Sequence, residues 1–324
     1  MHVFHNIEIN QTLPNHLKGG VVVIGNFDGI HLGHNFILKH AIKIANGSPS
    51  IVLSFNPHPR NILYSSSPIF TLTQPSIQEK ILENMGFSAL IRYKFTLETA
   101  NYSAEQFIQK ILVEWLKISK VIIGTKFCFG KNRSGNENIL KKNGEKYGFN
   151  TISIDELRDK NSQIVSSSNI RTALTQGRIT DANHLLGYRF TIEAPVTHGK
   201  KIGRTIGFPT ANMKLSPEIL LKEGVYAIRF RIQDKTSYDG IANFGRNPTI
   251  ISNGPLILES FIFDFSKEIY GQICSVSFFD YLREEIKFKD LQELKKHTEQ
   301  DEKKTRKILN NSHPLSEIDR IICF

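Results

Sequence analysis

Two histidines stand three positions apart in a glycine-containing segment that could bind a phosphate group. Residues 25–34 read Gly-Asn-Phe-Asp-Gly-Ile-His-Leu-Gly-His and follow a short apolar run. Where a strand gives way to a helix, backbone N–H groups and the positive end of the helix dipole favour phosphate, and glycine lets the backbone approach it. His31 and His34 share one helix face and could stabilise charge that develops on phosphorus. A metal site and a simple turn are the alternative interpretations of this segment.

A second candidate site lies in a basic run that contains several glycines. Residues 198–212 read His-Gly-Lys-Lys-Ile-Gly-Arg-Thr-Ile-Gly-Phe-Pro-Thr-Ala-Asn, which is not a Walker A sequence. The glycines and lysines could wrap a phosphate group. The Thr210 hydroxyl and the Asn212 carbonyl are hard oxygen ligands that suit Mg²⁺. A structural turn is the alternative interpretation.

Glu259 is an acidic residue on an otherwise apolar face of a predicted strand. Residues 256–263 alternate so that Glu259 shares a face with Ile257, Phe261 and Phe263. A carboxylate on such a face is costly unless it is paired or functional, and partial desolvation would make it a stronger base towards an alcohol. The alternative is an exposed face of an edge strand.

The first half of the chain alternates strand-like and helix-like segments. Short apolar runs predict buried strands at residues 21–24, 51–55, 121–124 and 151–154. Helical spacing is found over residues 32–46, 77–85 and 104–116. This alternation predicts a parallel sheet in an open α/β domain, with ligands at the carboxyl ends of the strands.

The pattern changes near residues 183–190, where helical spacing gives way to alternation with a period of two. Strands are predicted over residues 224–232, 256–263 and 273–279, and a charged helix over residues 291–309. Several short strands separated by turns indicate a small antiparallel barrel, here followed by a closing helix. The sequence therefore predicts two domains of different class.

Composition excludes several classes of protein. With 324 residues, 40% hydrophobic and 22% charged, the chain is not mostly disordered. The three cysteines are odd in number and widely spaced, which predicts neither a disulfide framework nor a zinc site. No apolar run approaches the roughly 20 residues of a membrane-spanning helix, and the first ten residues do not form a signal peptide. We therefore expect a cytoplasmic protein without a membrane partner.

The formal net charge of +10 could suit an anionic substrate or a nucleic acid. The lysines are scattered, however, and the densest stretch, residues 295–307, is interleaved with acidic residues. That arrangement is typical of a solvated helix face, so charge does not decide between these interpretations.

Four segments of the first half resemble a known group of enzymes. Residues 25–34 resemble the HxGH signature of the nucleotidyltransferase superfamily, in the GxFDGxHxGH form shared by cytidylyltransferases and bacterial FAD synthetases. Residues 55–59 resemble the FxPHP segment of the FAD synthetases, and residues 127–135 resemble their FxFGxxRxG loop. Residues 166–171 resemble the SSTxIR motif, with serine in place of threonine.

The second half resembles the riboflavin kinases. Residues 198–212 are similar to the GxGRxxGFPTAN signature of that family, and residues 224–227, 243–249 and 270–271 match further segments in the family order. Glu259 stands at the position of the base proposed for that family. From residue 21 to about residue 309, the chain thus resembles the bifunctional bacterial riboflavin kinase/FAD synthetases.

The resemblance implies a fold and an activity for each half. Residues 1–184 would form an α/β nucleotidyltransferase domain with a Rossmann-like parallel sheet, which adenylylates FMN to FAD and releases pyrophosphate. Residues 185–324 would form a small antiparallel β-barrel with a closing helix, which phosphorylates riboflavin to FMN. ATP and Mg²⁺ serve both steps, the partners are riboflavin, FMN and ATP, and no nucleic-acid partner is expected. The oligomeric state is left open.

The resemblance also implies roles for individual residues. Catalytic roles fall to Glu259, His31, His34 and Arg171. ATP and its phosphates are expected to contact Gly25, Asn26, Phe27, Asp28, Gly29, Gly33, Ser166, Ser167, Ser168, Gly199, Lys200, Gly203, Arg204 and Gly207. The flavin is expected to contact Asn56, His58, Pro59, Phe129, Arg133 and Asn243. Mg²⁺ is expected at Thr210 and Asn212.

Three positions depart from the family pattern. Lys126 and Asn136 stand where aspartate is usual, and Phe261 replaces a frequent histidine. Two other functions are alternatives: a different HxGH nucleotidyltransferase with an accessory barrel, and a flavin-sensing regulator that binds nucleic acid. The Pro-Thr-Ala-Asn segment and Glu259 argue against the first, and the lack of a helix-turn-helix or RNP-like motif argues against the second.

Overall fold

The computed structural model of the chain describes residues 1–64, 66, 69–158, 164–198, 208–246 and 255–324. The chain forms two compact units. One comprises Met1–Ile69 and Gln78–Val165, and the other comprises Phe70–Ile77 and Ser166–Phe324. The functional boundary expected after residue 184 stays a prediction.

The first unit is built on a six-stranded parallel sheet. Its strands are β1 (His2–Ile7), β2 (Val21–Ile24), β3 (Ser50–Asn56), β4 (Ala89–Lys94), β5 (Lys120–Gly124) and β6 (Asn150–Ile154). Their order is β1-β4-β3-β2-β5-β6, and every neighbouring pair is parallel. The predicted parallel sheet is confirmed. The order reverses between β2 and β5, and such a switch point opens a crevice at the carboxyl ends of the strands.

Helices flank these strands in the chain. They are α1 (Leu32–Ala45), α2 (Pro59–Leu63), α3 (Pro75–Asn84), α4 (Leu97–Ala100), α5 (Ala104–Phe107) and α6 (Glu137–Tyr147). Helix α5 continues as π-helical turns over Ile108–Trp115, which bury Ile111, Leu112 and Trp115. All four residues of β2 are buried, as expected for a central parallel strand covered on both faces.

The second unit contains two helices, a closed barrel and two further helices. They are α7 (Ser167–Thr175), α8 (Ile179–Leu186), β7 (Thr191–Thr197), β8 (Thr210–Leu215), β9 (Gly224–Arg231), β10 (Ser237–Arg246), β11 (Leu256–Ile262), β12 (Ile273–Arg283), α9 (Leu291–Asn310) and α10 (Glu317–Cys323). The barrel order is β10-β11-β8-β7-β12-β9, and it closes through antiparallel pairing of β9 with β10. The predicted antiparallel barrel and its closing helix, α9, are confirmed.

The short last helix, α10, was not predicted, and a buried ion pair anchors it. Asp319 is fully buried and pairs with the Arg189 guanidinium, and it also accepts a hydrogen bond of 2.7 Å from the Arg189 backbone N–H. The guanidinium lies 4.7 Å from the centre of the Phe279 ring. Because each charge is paired, its burial is tolerated, and removal of one partner would leave the other uncompensated.

The cysteines are all free thiols. Burial raises the pKa of Cys274 to about 11 and that of Cys323 to about 12, so these two thiols are poor nucleophiles. Among the helices of the described residues, none has the length and apolar character needed to cross a bilayer.

Candidate active sites

The loop between β2 and α1 has an unusual backbone. Phe27, Gly29 and Ile30 have φ angles of 48°, 91° and 34°, in the left-handed region. Phe27 and Ile30 are nevertheless buried, at 4% and 0% exposure. Packing therefore holds a strained turn in place, and such strain is concentrated at functional sites.

This turn brings the two predicted catalytic histidines together at the start of α1. The His31 side chain caps the helix, because its Nδ1 accepts a hydrogen bond of 3.2 Å from the His34 backbone N–H. The two rings stack with centroids 3.6 Å apart and planes 17° apart. With Nδ1 of His31 acting as an acceptor, the proton of the neutral ring is on Nε2, which can donate to a phosphoryl oxygen.

His34 is held as a neutral imidazole. Burial, followed by repulsion from His31, lowers its pKa well below the ordinary value of 6.5. Its Nδ1 is buried and has no hydrogen-bond partner among the described residues. A neutral ring can still donate an N–H to phosphate, while a buried ring nitrogen without a partner is the kind of group that is retained for function.

Gly33 makes room for the His31 ring. A Cβ added at Gly33 would lie 3.3 Å from ring atoms of His31 and 3.5 Å from the Val165 carbonyl oxygen. The predicted contact of Gly33 with phosphate stays a prediction, and what the structure shows is close packing of Gly33 against the His31 ring.

Two residues that the sequence analysis missed, Gln78 and Arg92, support the loop between β2 and α1. The Asn26 carbonyl accepts a hydrogen bond of 3.1 Å from Nε2 of Gln78, whose Oε1 accepts one of 2.9 Å from Arg92. The Asn26 side chain itself accepts a bond of 3.2 Å from the Phe55 backbone N–H. The sequence did contain a signal for Arg92, because it is a charged residue within the apolar run of β4.

The predicted flavin-contacting segment of residues 55–59 follows β3, the neighbour of β2. The Asn56 amide donates to Oδ1 of Asn6 at 2.7 Å, and the Asn56–Pro57 bond is cis. His58 caps α2 by accepting the Arg60 N–H at 3.2 Å. The segment thus lies at the carboxyl edge of the sheet where a ligand is expected, and its flavin contacts stay a prediction.

The loop that follows β5 is shaped by aromatic packing. Phe129 pairs with Gly135 in an isolated β-bridge and stacks on Phe127 with ring centroids 5.7 Å apart. A Cβ at Gly135 would lie 2.7 Å from the Phe129 ring, so glycine is needed for this approach. Arg133, at φ 57°, is exposed at the tip of the loop.

Each of the three departures from the family pattern has a structural partner. Asn136 caps α6 by accepting the Ile139 N–H at 3.1 Å, a role that asparagine and aspartate fill equally well. Lys126 forms an exposed ion pair of 2.6 Å with Glu156. Phe261 packs edge-on against Phe208 with ring centroids 5.0 Å apart.

The predicted phosphate-binding serines occupy the first turn of α7, in the second unit. Ser166 caps the helix by accepting the Asn169 N–H at 3.3 Å. Arg171 is anchored by a hydrogen bond of 2.9 Å from its Nε to the Phe70 carbonyl. Their role in phosphate binding, with that of Ser167 and Ser168, stays a prediction.

Three strands of the barrel bring the predicted kinase residues into one row. Glu259 on β11 is directly opposite Asn212 on β8 and directly opposite Asn243 on β10. Opposed residues of antiparallel strands share a face, so the carboxylate lies between two amides. Thr210 is on the same face of β8, and its Oγ1 is 3.4 Å from Nδ2 of Asn212.

The expected desolvation of Glu259 is wrong. Its side chain is exposed, whereas Leu258, Ser260 and Ile262 are the residues that β11 turns into the barrel. Both faces of this strand carry apolar residues, so alternation alone did not show which face is inside. Strand β11 is not an edge strand either, because it pairs on both sides.

Part of the predicted kinase site lies outside the described residues. This part includes Gly199, Lys200, Gly203, Arg204 and Gly207, as well as residues 247–249. Among the residues that are described, no group of three or more His, Cys, Asp or Glu side chains could hold a metal ion. Thr210 and Asn212 carry neutral oxygen atoms of the kind that Mg²⁺ accepts as ligands.

Comparison with known families matches each half separately. Residues 13–169 match the family described as FAD synthetase, and residues 186–309 match the family described as riboflavin kinase. A crystal structure described as a macrolide-efflux protein from Streptococcus pneumoniae has a TM-score of 0.83 and 28% identity, and the match covers 94% of this chain and 99% of that one.

Curated relatives match over nearly the whole length. The chain is 38% identical to a bifunctional riboflavin kinase/FMN adenylyltransferase from Buchnera aphidicola, with 92% of this chain and 94% of the relative covered. It is 37% identical to the enzyme of the same description from Haemophilus influenzae, with 91% and 96% covered. Each of these two relatives thus matches both halves of the chain. The chain belongs to the family of bifunctional riboflavin kinase/FMN adenylyltransferases.

Proposed function

We propose that this chain phosphorylates riboflavin to FMN with ATP, and then transfers AMP from a second ATP to FMN to give FAD and pyrophosphate. The observation that carries the proposal is the pair of family matches, FAD synthetase over residues 13–169 and riboflavin kinase over residues 186–309. The second match argues against a different HxGH nucleotidyltransferase with an unrelated barrel. A cytoplasmic location without nucleic-acid or membrane partners belongs to the same proposal.

In the adenylyl step, an oxygen of the FMN phosphate attacks the α-phosphorus of ATP and pyrophosphate leaves. Nε2–H of His31 and the neutral His34 ring donate to phosphoryl oxygens as charge develops on them. Arg171 and the serines at the start of α7 add a cation and hydroxyls for the other phosphate oxygens. No covalent enzyme intermediate is required, because positioning and electrostatic stabilisation suffice.

In the kinase step, Glu259 accepts the proton of the ribityl 5′-hydroxyl as its oxygen attacks the γ-phosphorus of ATP. Its exposed carboxylate between Asn212 and Asn243 supports this role, because the substrate has access to it and two amides flank it. The glycine- and lysine-rich run of residues 199–207 supplies N–H groups and cations for the ATP phosphates.

Mg²⁺ fits the donors that the barrel offers. Thr210 and Asn212 have neighbouring side chains with hard oxygens and no positive charge, which suits a cation that takes its other ligands from phosphate and water. Bound there, Mg²⁺ would neutralise part of the charge on the transferred phosphate. Thr210 and Asn212 would hold the Mg²⁺ ion, and Glu259 would accept the proton of the hydroxyl.

The test is flavin product analysis by chromatography after incubation with riboflavin, ATP and Mg²⁺. We expect Glu259→Gln to abolish FMN formation while FMN still becomes FAD, because this change keeps the shape of the side chain and removes the base. His31→Ala is the matched control: it should lose about 2.7–4 kcal/mol of transition-state stabilisation in the adenylyl step and leave the kinase step unchanged. Normal riboflavin phosphorylation by Glu259→Gln would remove Glu259 from the mechanism.

A further inference from the structure

An acidic residue without an assigned role contacts the kinase row. Nδ2 of Asn243, the amide directly opposite Glu259, donates a hydrogen bond of 2.7 Å to Oε1 of Glu285. Glu285 follows the last barrel strand, β12, and is itself exposed.

The chemistry of this contact fixes the orientation of the Asn243 amide. An ionised carboxylate only accepts hydrogen bonds, so the NH₂ group of Asn243 must face Glu285, and the carbonyl oxygen must be on the other side. That oxygen, Oδ1, is buried and has no hydrogen-bond partner within the part of the chain that the structure describes. A buried acceptor without a donor costs free energy. The presence of such an atom is explained if a bound ligand donates a hydrogen bond to it.

A glycine two residues further along β10 leaves space for the same carboxylate. A Cβ at Gly245 would lie 3.1 Å from Cδ of Glu285 and closer still to its Oε1. The φ angle of Gly245 is not in the left-handed region, so backbone conformation does not require glycine here. Glycine is instead explained at position 245 because a side chain there would occupy the space of the Glu285 carboxylate.

We propose that Glu285 is a positioning residue for riboflavin. It holds Asn243 so that Oδ1 accepts a hydrogen bond from a donor group of the flavin, either a ribityl hydroxyl or the ring N–H. This inference rests on the proposed function, because it names a substrate contact of the proposed kinase site.

The test compares steady-state kinetics of Glu285→Ala with the unsubstituted chain. We expect the KM for riboflavin to rise about tenfold or more, the scale of a lost hydrogen bond to a charged group, while the KM for ATP stays within about twofold. Adenylylation of added FMN by the same preparation shows that the chain is folded. Gly245→Ala, which keeps both partners and fills the space between them, should give the same selective rise.

A double variant that exchanges the donor and the acceptor between residues 243 and 285 distinguishes a positioning role of Glu285 from simple packing. Asn243→Asp alone places two carboxylates against each other and should impair riboflavin phosphorylation. The double variant Asn243→Asp/Glu285→Gln restores one donor and one acceptor, keeps the net charge, and should regain activity to within about threefold. A riboflavin KM within about twofold of normal in Glu285→Ala, or losses in the double variant that equal the product of the single losses, would overturn the inference. If the unsubstituted chain forms no FMN, the proposed function fails as well.

Discussion

At the residue scale, the spacing of the two histidines predicted part of their arrangement in the structure. The three-residue interval between His31 and His34 predicted a shared helix face, and the structure stacks their rings 3.6 Å apart. The sequence could not show that His31 would also cap the helix, or that burial would keep His34 neutral. Both properties depend on the strained turn before α1, which no helical pattern reveals.

The substitution Gly33→Ala should slow adenylyl transfer with little effect on stability. The added Cβ needs the His31 ring to shift by a few tenths of an ångström, while alanine favours the helix by up to about 1 kcal/mol. We expect the rate of FAD formation to fall about tenfold with little change in thermal stability, since small displacements of catalytic groups are costly. Measured riboflavin phosphorylation by the same variant is the control. An unchanged adenylyl rate would mean that the ring position is not critical.

The lowered pKa of His34 predicts a pH dependence of stability. Below pH 6.5 the unfolded chain protonates this histidine and the folded chain does not, so the free energy of unfolding falls as pH drops from about 6.5 towards the folded pKa. The slope from this one group is at most about 1.4 kcal/mol per pH unit. Urea unfolding at pH 7.5 and 5.5 can be followed by fluorescence of Trp115, the only tryptophan, which lies in the first unit. His34→Gln should lose less stability on acidification than the unsubstituted chain, and equal losses would contradict the assignment.

At the scale of elements, short apolar runs predicted the central strands of the sheet. Strands β2, β3, β5 and β6 were predicted in this way and are present, whereas β1 and β4 were not identified. Half of the residues of β1, His-Val-Phe-His-Asn-Ile, are polar, and β4 carries a buried Arg92 that donates a hydrogen bond to the Gln78 side chain of α3. In β11, alternation predicted which residues share a face with Glu259, but the choice of the inner face depends on closure of the barrel.

Gln78 links α3 to the loop between β2 and α1, and its removal should affect both stability and catalysis. Gln78→Ala deletes the bonds to the Asn26 carbonyl and to Arg92, which should cost about 1–3 kcal/mol and slow FAD formation. Urea unfolding monitored at Trp115 measures the first effect, and adenylyl kinetics measure the second. Gln109→Ala, which breaks only an exposed contact with Glu114, is the matched control. Equal stability of the two variants would show that the Gln78 contacts carry no net energy.

At the scale of the whole molecule, the change of pattern near residues 183–190 predicted two classes of domain, and both are present. It did not predict that Phe70–Ile77 belongs to the second unit. That segment is held by the Thr73 hydroxyl, 2.9 Å from the Tyr188 hydroxyl, and by the Gln74 amide, 2.8 Å from the Glu193 carbonyl. Contacts between residues so far apart in the chain leave no periodic signal in the sequence.

The contacts within the second unit predict which fragments of the chain should fold stably. Asn183, in α8, is buried and bridges the barrel: its Oδ1 accepts the Phe190 N–H at 2.8 Å and its Nδ2 donates to the Phe278 carbonyl at 2.9 Å. A fragment of residues 185–324 lacks these bonds and leaves two backbone groups without their partner, whereas a fragment of residues 166–324 retains them.

Both fragments contain Glu259, Thr210 and Asn212 and lack the histidine pair, so both should form FMN and no FAD. The longer fragment should unfold at a higher temperature, because it keeps the bridge from α8. Circular dichroism on heating and chromatography of the flavin products measure the two effects. A longer fragment that is folded but makes no FMN would show that the kinase site needs residues from the first unit, and equal melting temperatures would show that Asn183 does not stabilise the barrel.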